Sequence, residues 1–389
     1  DNHGLQFSQS IIILPYPGHE DQYFFMVENP RYFYGEGWLV RFGMYKGIIG
    51  MSANGGLGRV MDREIITRDS FTIGNIVATR HANGRDWWIL KPERPSLGRV
   101  FTYLLDPAGL HFEGYQQISP YESHVWQSAF SPDGSKYTFV GGLDTIINDM
   151  RVHFYDFDRC SGRLSGERIW DPTPESIRDT VYAAGLCFSP SSRYLYVSLF
   201  NQLKQFDTWQ DTIGQTGQVV LVHDGYRYNT FPTFYYLMGL APDGRIYMTT
   251  TSSTPALHLV ASPDSAGLAC GAINRGLALP TGQPNCSTIP NHPNYLLGPL
   301  HGSPCDTLTA VREPTAADYA VDIGPIPTDR YLQVTERQAS GKAYTLHVRD
   351  IQGRELLRME RPLPHTLDMA ELSEGMYILQ IDDGSHIQE

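Results

Sequence analysis

The sequence predicts an all-β protein in two parts, and three observations carry that prediction. A hairpin signal recurs through residues 1–308. No window of about a dozen residues holds a convincing helical period, the segment 174–181 offering at most a turn or two. After Leu308 the chain changes to short alternating runs set off by turns. Composition agrees, with 37 Gly, 26 Pro and 23 Tyr among 389 residues, which suits many short strands and tight turns. A hydrophobic share of 41% against 19% charged is enough to bury a core, and the length calls for two folding units.

Bulk charge narrows the partners. The formal net charge is −12 and no Lys/Arg run makes a basic face, so nucleic acid is not expected. No stretch approaches the roughly 20 apolar residues of a membrane helix, so the chain is not expected to span a membrane. Ile11-Ile12-Ile13-Leu14 is stopped by Pro15 and reads as a strand. Asp1-Asn2-His3 has neither the Met nor the basic region of a signal peptide, so a processing boundary or upstream residues are expected.

The repeat is the organising feature. Ser128 to Tyr137 (SAFSPDGSKY) is echoed by Gly185 to Tyr194 (GLCFSPSSRY) and by Gly239 to Tyr247 (GLAPDGRIY). In each copy a strand ends in small or apolar residues, Pro presets φ early in the turn, and Asp or Ser caps it. Gly takes the positive-φ position, and an aromatic soon follows. Looser copies run from Leu14 to Tyr23, Val77 to Trp88 and Asn291 to Leu296. The spacing, roughly 50–65 residues, fits a four-stranded blade with loop insertions. Met150–Phe157, Arg193–Phe200 and Gln218–Gly225 supply the further strands of these units. Antiparallel units closing radially make a β-propeller, here of six to seven blades, with five good units and a sixth represented mainly by its first strand. Asp1–Gln9 is short for the closing strand, so residues upstream of it are expected to complete an incomplete closing blade.

At these residues the chain resembles a family of propeller-bearing surface proteins of Bacteroidota. Members carry GNGRDWW, FSPDGSKY, YDFDRCSG, FSPNSRYLYV, LAPDGKIY and PNFPNYRLGPLDGSPCDTL in this order. The matching segments are Ala82–Trp88, Phe130–Tyr137, Tyr155–Gly162, Phe188–Val197, Leu240–Tyr247 and Pro290–Leu308. His292, Leu296 and His301 depart from the usual Phe, Arg and Asp. The resemblance implies a secreted propeller and no particular ligand.

Thr309–Val321 is polar, carries Pro314 and reads as a linker. Beyond it, Tyr331–Val334, Tyr344–Asp350, Thr366–Met369 and Met376–Ile381 alternate as strands of a small β-sandwich spanning 322–389. Gly324–Pro327, Val348–Arg354 and Asp368–Tyr377 resemble, in order, the "PNP", "iyDi.Gr" and "iDls.L..GvY" signatures of a type A sorting domain of the type IX secretion system. The resemblance implies export-signal positions at Asp350, Gly353, Arg354, Leu372, Gly375 and Tyr377. It implies passage to the cell surface or exterior, with the type IX translocon and its shuttle proteins as partners. The family usually ends in a further Lys-rich strand, so the last strand is expected to be missing.

Chemistry-bearing residues are sparse. The five cysteines show no CxxC spacing, which argues against a zinc or redox motif; Cys270–Cys286 or Cys286–Cys305 would pin the loop-rich segment between them, leaving at least one thiol free. Asp156 and Asp158 share a strand face and offer a weak cation site, but a strand-end turn suffices. His292 and His301 lie near Cys305 without metal spacing. Ser-Pro-Asp-Gly fails as a sialidase Asp-box, because Asp133 and Gly134 are adjacent. No GxSxG, P-loop or dinucleotide signature is present, and no catalytic residue, cofactor or metal is expected. The doubled Trp87-Trp88 sends one ring to each face of a strand, one into the core and the other as a candidate ligand contact.

The expected function is a binding or structural module at the cell surface, its partner an extracellular protein or glycan. The alternative is a propeller enzyme acting on extracellular polysaccharide, with Arg80, His81, His124 and Gln127 gathered around the central channel. A third reading, a subunit of a surface assembly, requires a large flat apolar side.

Overall fold

A computed structural model describes residues 9–31, 41–67, 74–93, 97–120, 127–142, 150–172, 185–280, 284–285, 287–306, 321–324, 328, 330–336, 343–350, 354–373, 375–382 and 387–388. The chain divides into two compact units, Asp1–Leu308 and Thr309–Glu389.

The first unit holds five four-stranded antiparallel meanders among its described residues. The first is β1 (Ile11–Pro15), β2 (Gln22–Arg31), β3 (Arg41–Gly50) and β4 (Arg59–Thr67), and the second is β5 (Val77–Arg80), β6 (Trp87–Pro92), β7 (Arg99–Asp106) and β8 (Gly109–Gln117). The third is β9 (Ser128–Phe130), β10 (Lys136–Gly142), β11 (Met150–Asp158) and β12 (Arg163–Trp170), and the fourth is β13 (Leu186–Phe188), β14 (Tyr194–Leu199), β15 (Gln202–Asp207) and β16 (Gln218–Val222). A short ribbon, β17 (Arg227–Tyr228) with β18 (Phe231–Pro232), leads to the fifth, made of β19 (Tyr235–Leu240), β20 (Ile246–Thr250), β21 (Ala256–Val260) and β22 (Ala272–Ala278).

The turn chemistry read from the sequence recurs in space. Gly134 sits at φ 71° and donates its N–H to Ser131 O at 2.8 Å. Asp133 closes the same turn by accepting from Ser131 Oγ at 2.5 Å and Ser135 N at 2.9 Å. In the second copy Ser192 takes the left-handed position, at φ 65°.

Packing is radial. One apolar cluster fills each gap between successive sheets: Phe24 and Trp87 in the first gap, Trp88 and Phe139 in the second, Phe154 and Leu195 in the third, Tyr196 and Met238 in the fourth. A blade covered on both faces loses the one-sided alternation of an open sheet, and β6 and β14 are buried along their whole length.

The expected six to seven blades are therefore five four-stranded sheets among the described residues. The copy expected to open a sixth, Asn291–Leu296, forms no strand, nor does the surrounding segment 289–306. It runs as a strap from the fifth sheet, where Ile289 packs on Gly239, to the first two, where Asn291 Nδ2 donates to Ile11 O and Ile76 O, both at 2.8 Å. Proline at 290 and 293 removes two ladder donors, which explains why the segment does not pair as a strand.

The second unit is a sandwich. One sheet is β23 (Val321–Gly324), β24 (Tyr331–Glu336) and β27 (His365–Asp368). The other, in spatial order, is β26 (Glu355–Pro362), β25 (Ala343–Asp350), β28 (Tyr377–Asp382) and β29 (Ile387–Gln388). Their inner faces share one core of Val321, Leu332, Val334, Tyr344, Leu346, Val348, Leu367 and Ile381. The final described strand is the two-residue β29, paired with β28.

Candidate functional site

The first strands of the five sheets surround a cavity of about 430 Å³ at the end where they enter their turns. Its wall is mainly apolar, including Ile12, Val77, Phe130, Leu186, Phe188 and Met238, and the strap residues Pro290–Leu296 form its roof. Its titratable lining groups are Cys187, His292 and Tyr295. Burial pushes the Cys187 thiol up to about 12, so it is a neutral wall group at any ordinary pH.

Side-chain amides tie the sheets together beside this cavity. Gln127 Oε1 accepts from Leu186 N at 3.0 Å and Met238 N at 3.1 Å, while its Nε2 donates to Met238 O at 2.6 Å. One amide thus joins the third, fourth and fifth sheets. Gln9 does the same for the start of the chain, donating to Ser128 O at 2.7 Å and accepting from Ser128 N at 2.8 Å. A primary amide presents a donor and an acceptor side by side, so it can stand in for a strand's backbone where no strand passes.

The strap is held at the second and third sheets by a buried guanidinium. Arg159 donates to Arg80 O at 2.9 Å, His81 O at 3.2 Å, Gly298 O at 2.5 Å and Asp133 O at 3.5 Å. Burial lowers its pKa, with the charge of Asp133 opposing that shift. Leu300 N donates to Ala82 O at 2.8 Å, Tyr295 Oη donates to Ile13 O at 2.8 Å, and Cys305 is disulfide-bonded to Cys160. That bond corrects the expected pairings: Cys305 bonds across 145 residues rather than to Cys286, and Cys270 is a buried free thiol. Cys286 lies outside the described residues. Bonded to Cys160, Cys305 offers no thiolate ligand beside His292 and His301.

Four of the segments singled out in the sequence meet at this corner. Those around Ala82, Asp133, Cys160 and Gly298 are joined by Arg159 or the disulfide. Gln127 was marked only as a channel residue, and Arg159 and Asn291 only as members of repeated segments; the bonds they make were not readable, because each acts through backbone carbonyls or amides of distant strands. Both bonded cysteines lay inside ordered segments, and that shared placement was the one available clue.

The candidate ligand contact at Trp87 and Trp88 is corrected, since both rings are buried. Trp87 faces the first sheet, with the Arg80 guanidinium 3.8 Å from its ring centroid; Trp88 faces the third and donates Nε1–H to Arg159 O at 2.8 Å. The alternation prediction holds, but a blade has neighbours on both sides and so both faces are core. Arg80, His81 and Gln127 do not converge as a catalytic group. His81 Nε2 bonds Cys160 O at 3.1 Å, and burial, first of all, brings Arg80 down to about 10. His124 lies outside the described residues. Asp156 and Asp158 form no cation site: the first pairs with Arg168 at 2.5 Å, and the second accepts from Ser161 Oγ at 2.6 Å and Cys160 N at 2.9 Å. Those bonds, the Ser161 hydroxyl first, hold the Asp158 carboxyl below its usual range.

In the sandwich, the residues implied for export gather at one end of the four-stranded sheet. Asp350 accepts from Arg354 N at 2.9 Å and Nε at 3.1 Å, closing the β25–β26 hairpin, and is the register partner of Tyr377. Tyr377 Oη donates to Ser373 O at 2.5 Å. Leu372 and Tyr377 both pack against the core. Gly375 has open space around its Cα: a methyl group placed there would meet nothing nearer than the Tyr377 ring, at 3.9 Å. Gly353 lies outside the described residues.

Residues 322–389 match the secretion system C-terminal sorting domain. No curated protein sequence matches the chain. Among solved structures, a 6-phosphogluconolactonase-like protein from Bacteroides uniformis is 13% identical, with a TM-score of 0.40 over 95% of this chain and 96% of that one. A periplasmic gluconolactonase from Pseudomonas aeruginosa is 15% identical, with a TM-score of 0.40 over 90% of this chain and 85% of that one. The β-propeller domain of Cps50 (Swd1) from Myceliophteria thermophila is 9% identical, with a TM-score of 0.36 over 86% of this chain and 90% of that one. The C-terminal unit is thus a type IX sorting domain, which implies a Bacteroidota source, engagement of the secretion machinery and delivery to the cell surface or extracellular space. No helix among the described residues is long and apolar enough to cross a membrane.

Proposed function

We propose that the exported propeller is a binding module whose axial cavity takes an uncharged, largely apolar group of an extracellular protein partner. The observation that carries this reading is the cavity wall itself: aliphatic, aromatic and proline surface with a few amides and hydroxyls. Such a wall rewards shape and dispersion, as ligand sites of this volume generally do. A protein side chain fits it better than a sugar, which needs several hydrogen bonds and an exposed aromatic plane. Asp350, Arg354, Leu372, Gly375 and Tyr377 belong in this proposal as the residues that shape the export signal.

Titration with Nile red, an uncharged apolar dye, tests the reading. Saturable binding at one site is expected, and Ala129→Phe, which fills the cavity, should abolish it while leaving the circular dichroism spectrum unchanged. Binding that survives the substitution overturns the proposal. Release of sugars from polysaccharide by the purified protein would overturn it in favour of the enzyme reading.

A further inference from the structure

The strap that roofs the cavity differs from everything around it. Each sheet is held by a ladder, whereas residues 289–306 contribute no strand and are held by single bonds. Asn291 and Asn294 meet the sheets through a side-chain amide, Gly298 and Leu300 through one backbone group, and Tyr295 through its hydroxyl and its carbonyl oxygen. Isolated bonds of this kind open locally far more readily than a ladder, because each can be exchanged for water without disturbing its neighbours. Against that, one covalent link joins the far end of the strap to the third sheet, between Cys305 and Cys160, the latter in the β11–β12 turn. Both cysteines are partly exposed, so a thiolate can reach the bond. The two described free cysteines, Cys187 and Cys270, are buried and so are shielded from exchange with this disulfide.

We propose that the strap is a gate over the axial cavity and that the Cys160–Cys305 disulfide is its latch. A dithiol opens it. Its thiolate attacks one sulfur and displaces the other as a thiol. Its second thiol then resolves the mixed disulfide, leaving both cysteines reduced and the dithiol oxidised by two electrons. Residues 290–300 then lift while the five sheets keep their ladders. The sorting domain delivers the protein to an oxidising exterior, where the latch stays shut until such a reductant arrives. The gate rests on the strap's own contacts and not on the identity of the cavity's ligand.

Segment-resolved hydrogen exchange on the full chain, with and without dithiothreitol, tests the gate, and Cys160→Ser/Cys305→Ser serves as a permanently unlatched variant. The Leu300 amide, bonded to Ala82 O, should exchange at least tenfold faster in both unlatched forms. Amides of β10 and β14 should keep their protection, and reoxidation should restore the strap. Unchanged exchange at Leu300 would overturn the proposal, since the strap would then stay seated without its latch. Equal loss of protection in β10 and β14 would also overturn it, by showing that the bond supports the whole fold. If Nile red fails to bind in either redox state, the ligand reading fails and the gate is still decided by exchange.

Discussion

The propeller and the sandwich are both built of antiparallel sheets, yet they keep their polar groups in opposite places. Every buried polar or charged side chain among the described residues lies in the first unit, between Ser10 and His258, while the buried set of the sandwich is apolar throughout. Geometry explains the difference. A blade has a neighbour on each face, so a polar residue at almost any strand position is enclosed and must find a partner. A sandwich strand keeps one face in water, where polar residues settle without one. The first unit is therefore keyed sheet to sheet by many specific polar contacts, and the second mainly by apolar alternation, with the Tyr344 hydroxyl donating to Glu336 across its two sheets.

Acid should separate the two units most strongly. His153 stacks on Phe139 at 4.5 Å, and His258 donates to Thr233 O at 3.0 Å. Burial holds both neutral, bringing each down to about 4. The unfolded chain binds these protons near pH 6.5, so stability is fully present above that pH. It falls as pH drops through 6.5 and levels off below about 4. Each histidine contributes roughly 3 kcal/mol to that loss. The sandwich has no buried histidine among its described residues. Urea unfolding followed by segment-resolved exchange at pH 7.5 and 4.5 should show the propeller's midpoint falling far more than the sandwich's. His258→Gln should remove about half of the drop, and equal midpoints at the two pH values would refute the assignment.

Next comes the ion pair between the first two sheets. Lys91 Nζ lies 2.5 Å from Glu28 Oε1 with both side chains sealed from solvent, and Gly74 N donates to Glu28 at 2.7 Å. Burial pushes Glu28 up and Lys91 down, and each charge offsets the other's shift. Lys91→Met strands a buried carboxylate and should cost about 3–5 kcal/mol. Glu28→Gln/Lys91→Met should recover most of that, because the amide can accept from Gly74 N and donate to Gly74 O. A double variant as unstable as the single one would show that the pair does more than neutralise itself.

These two predictions also mark what the sequence could reveal. The turns, the doubled tryptophan on opposite faces and the alternation of Tyr344–Asp350 follow from local rules, and each was readable. Lys91 sits in an apolar run, Trp87 to Pro92, where nothing local points to a carboxylate in another sheet. The same limit hid the Cys160 partner of Cys305 and the reach of Arg159, since partner choice across a ring depends on how blades stack. The blade count was hard to read for a related reason: Asn291–Leu296 carries the turn residues of a hairpin, but Pro290 before it, Pro293 within it and its place over the cavity make it a strap. The sandwich was the more legible unit because alternation is most of what specifies it.

Truncating the sandwich core sharpens that point. Leu346, fully buried on β25, is central to the single cluster of this unit. Leu346→Ala should cost about 2–5 kcal/mol, a large share of what so small a core supplies. Exchange should rise across β23–β29 while β5–β22 remain protected, and cells should accumulate the protein unexported. Protection lost equally in the propeller would mean that the two units do not fold on separate cores.

The smallest effect tests whether the hairpin end of the sandwich is structural or recognised. Arg354 is largely exposed, and its ion pair with Asp350 spans four residues at the surface. Arg354→Gln should therefore change stability by less than about 0.5 kcal/mol. Asp350 also accepts the Arg354 N–H that closes the hairpin, so Asp350→Ala should cost about 1 kcal/mol. Secretion measured beside unfolding midpoints then separates two roles. If Arg354→Gln lowers export while the midpoint holds, the guanidinium is read by the secretion machinery. If export follows the midpoints of the two variants, Asp350 and Arg354 act by holding the hairpin. A sandwich recognised only through its fold should show the second pattern; one carrying a surface signal should show the first.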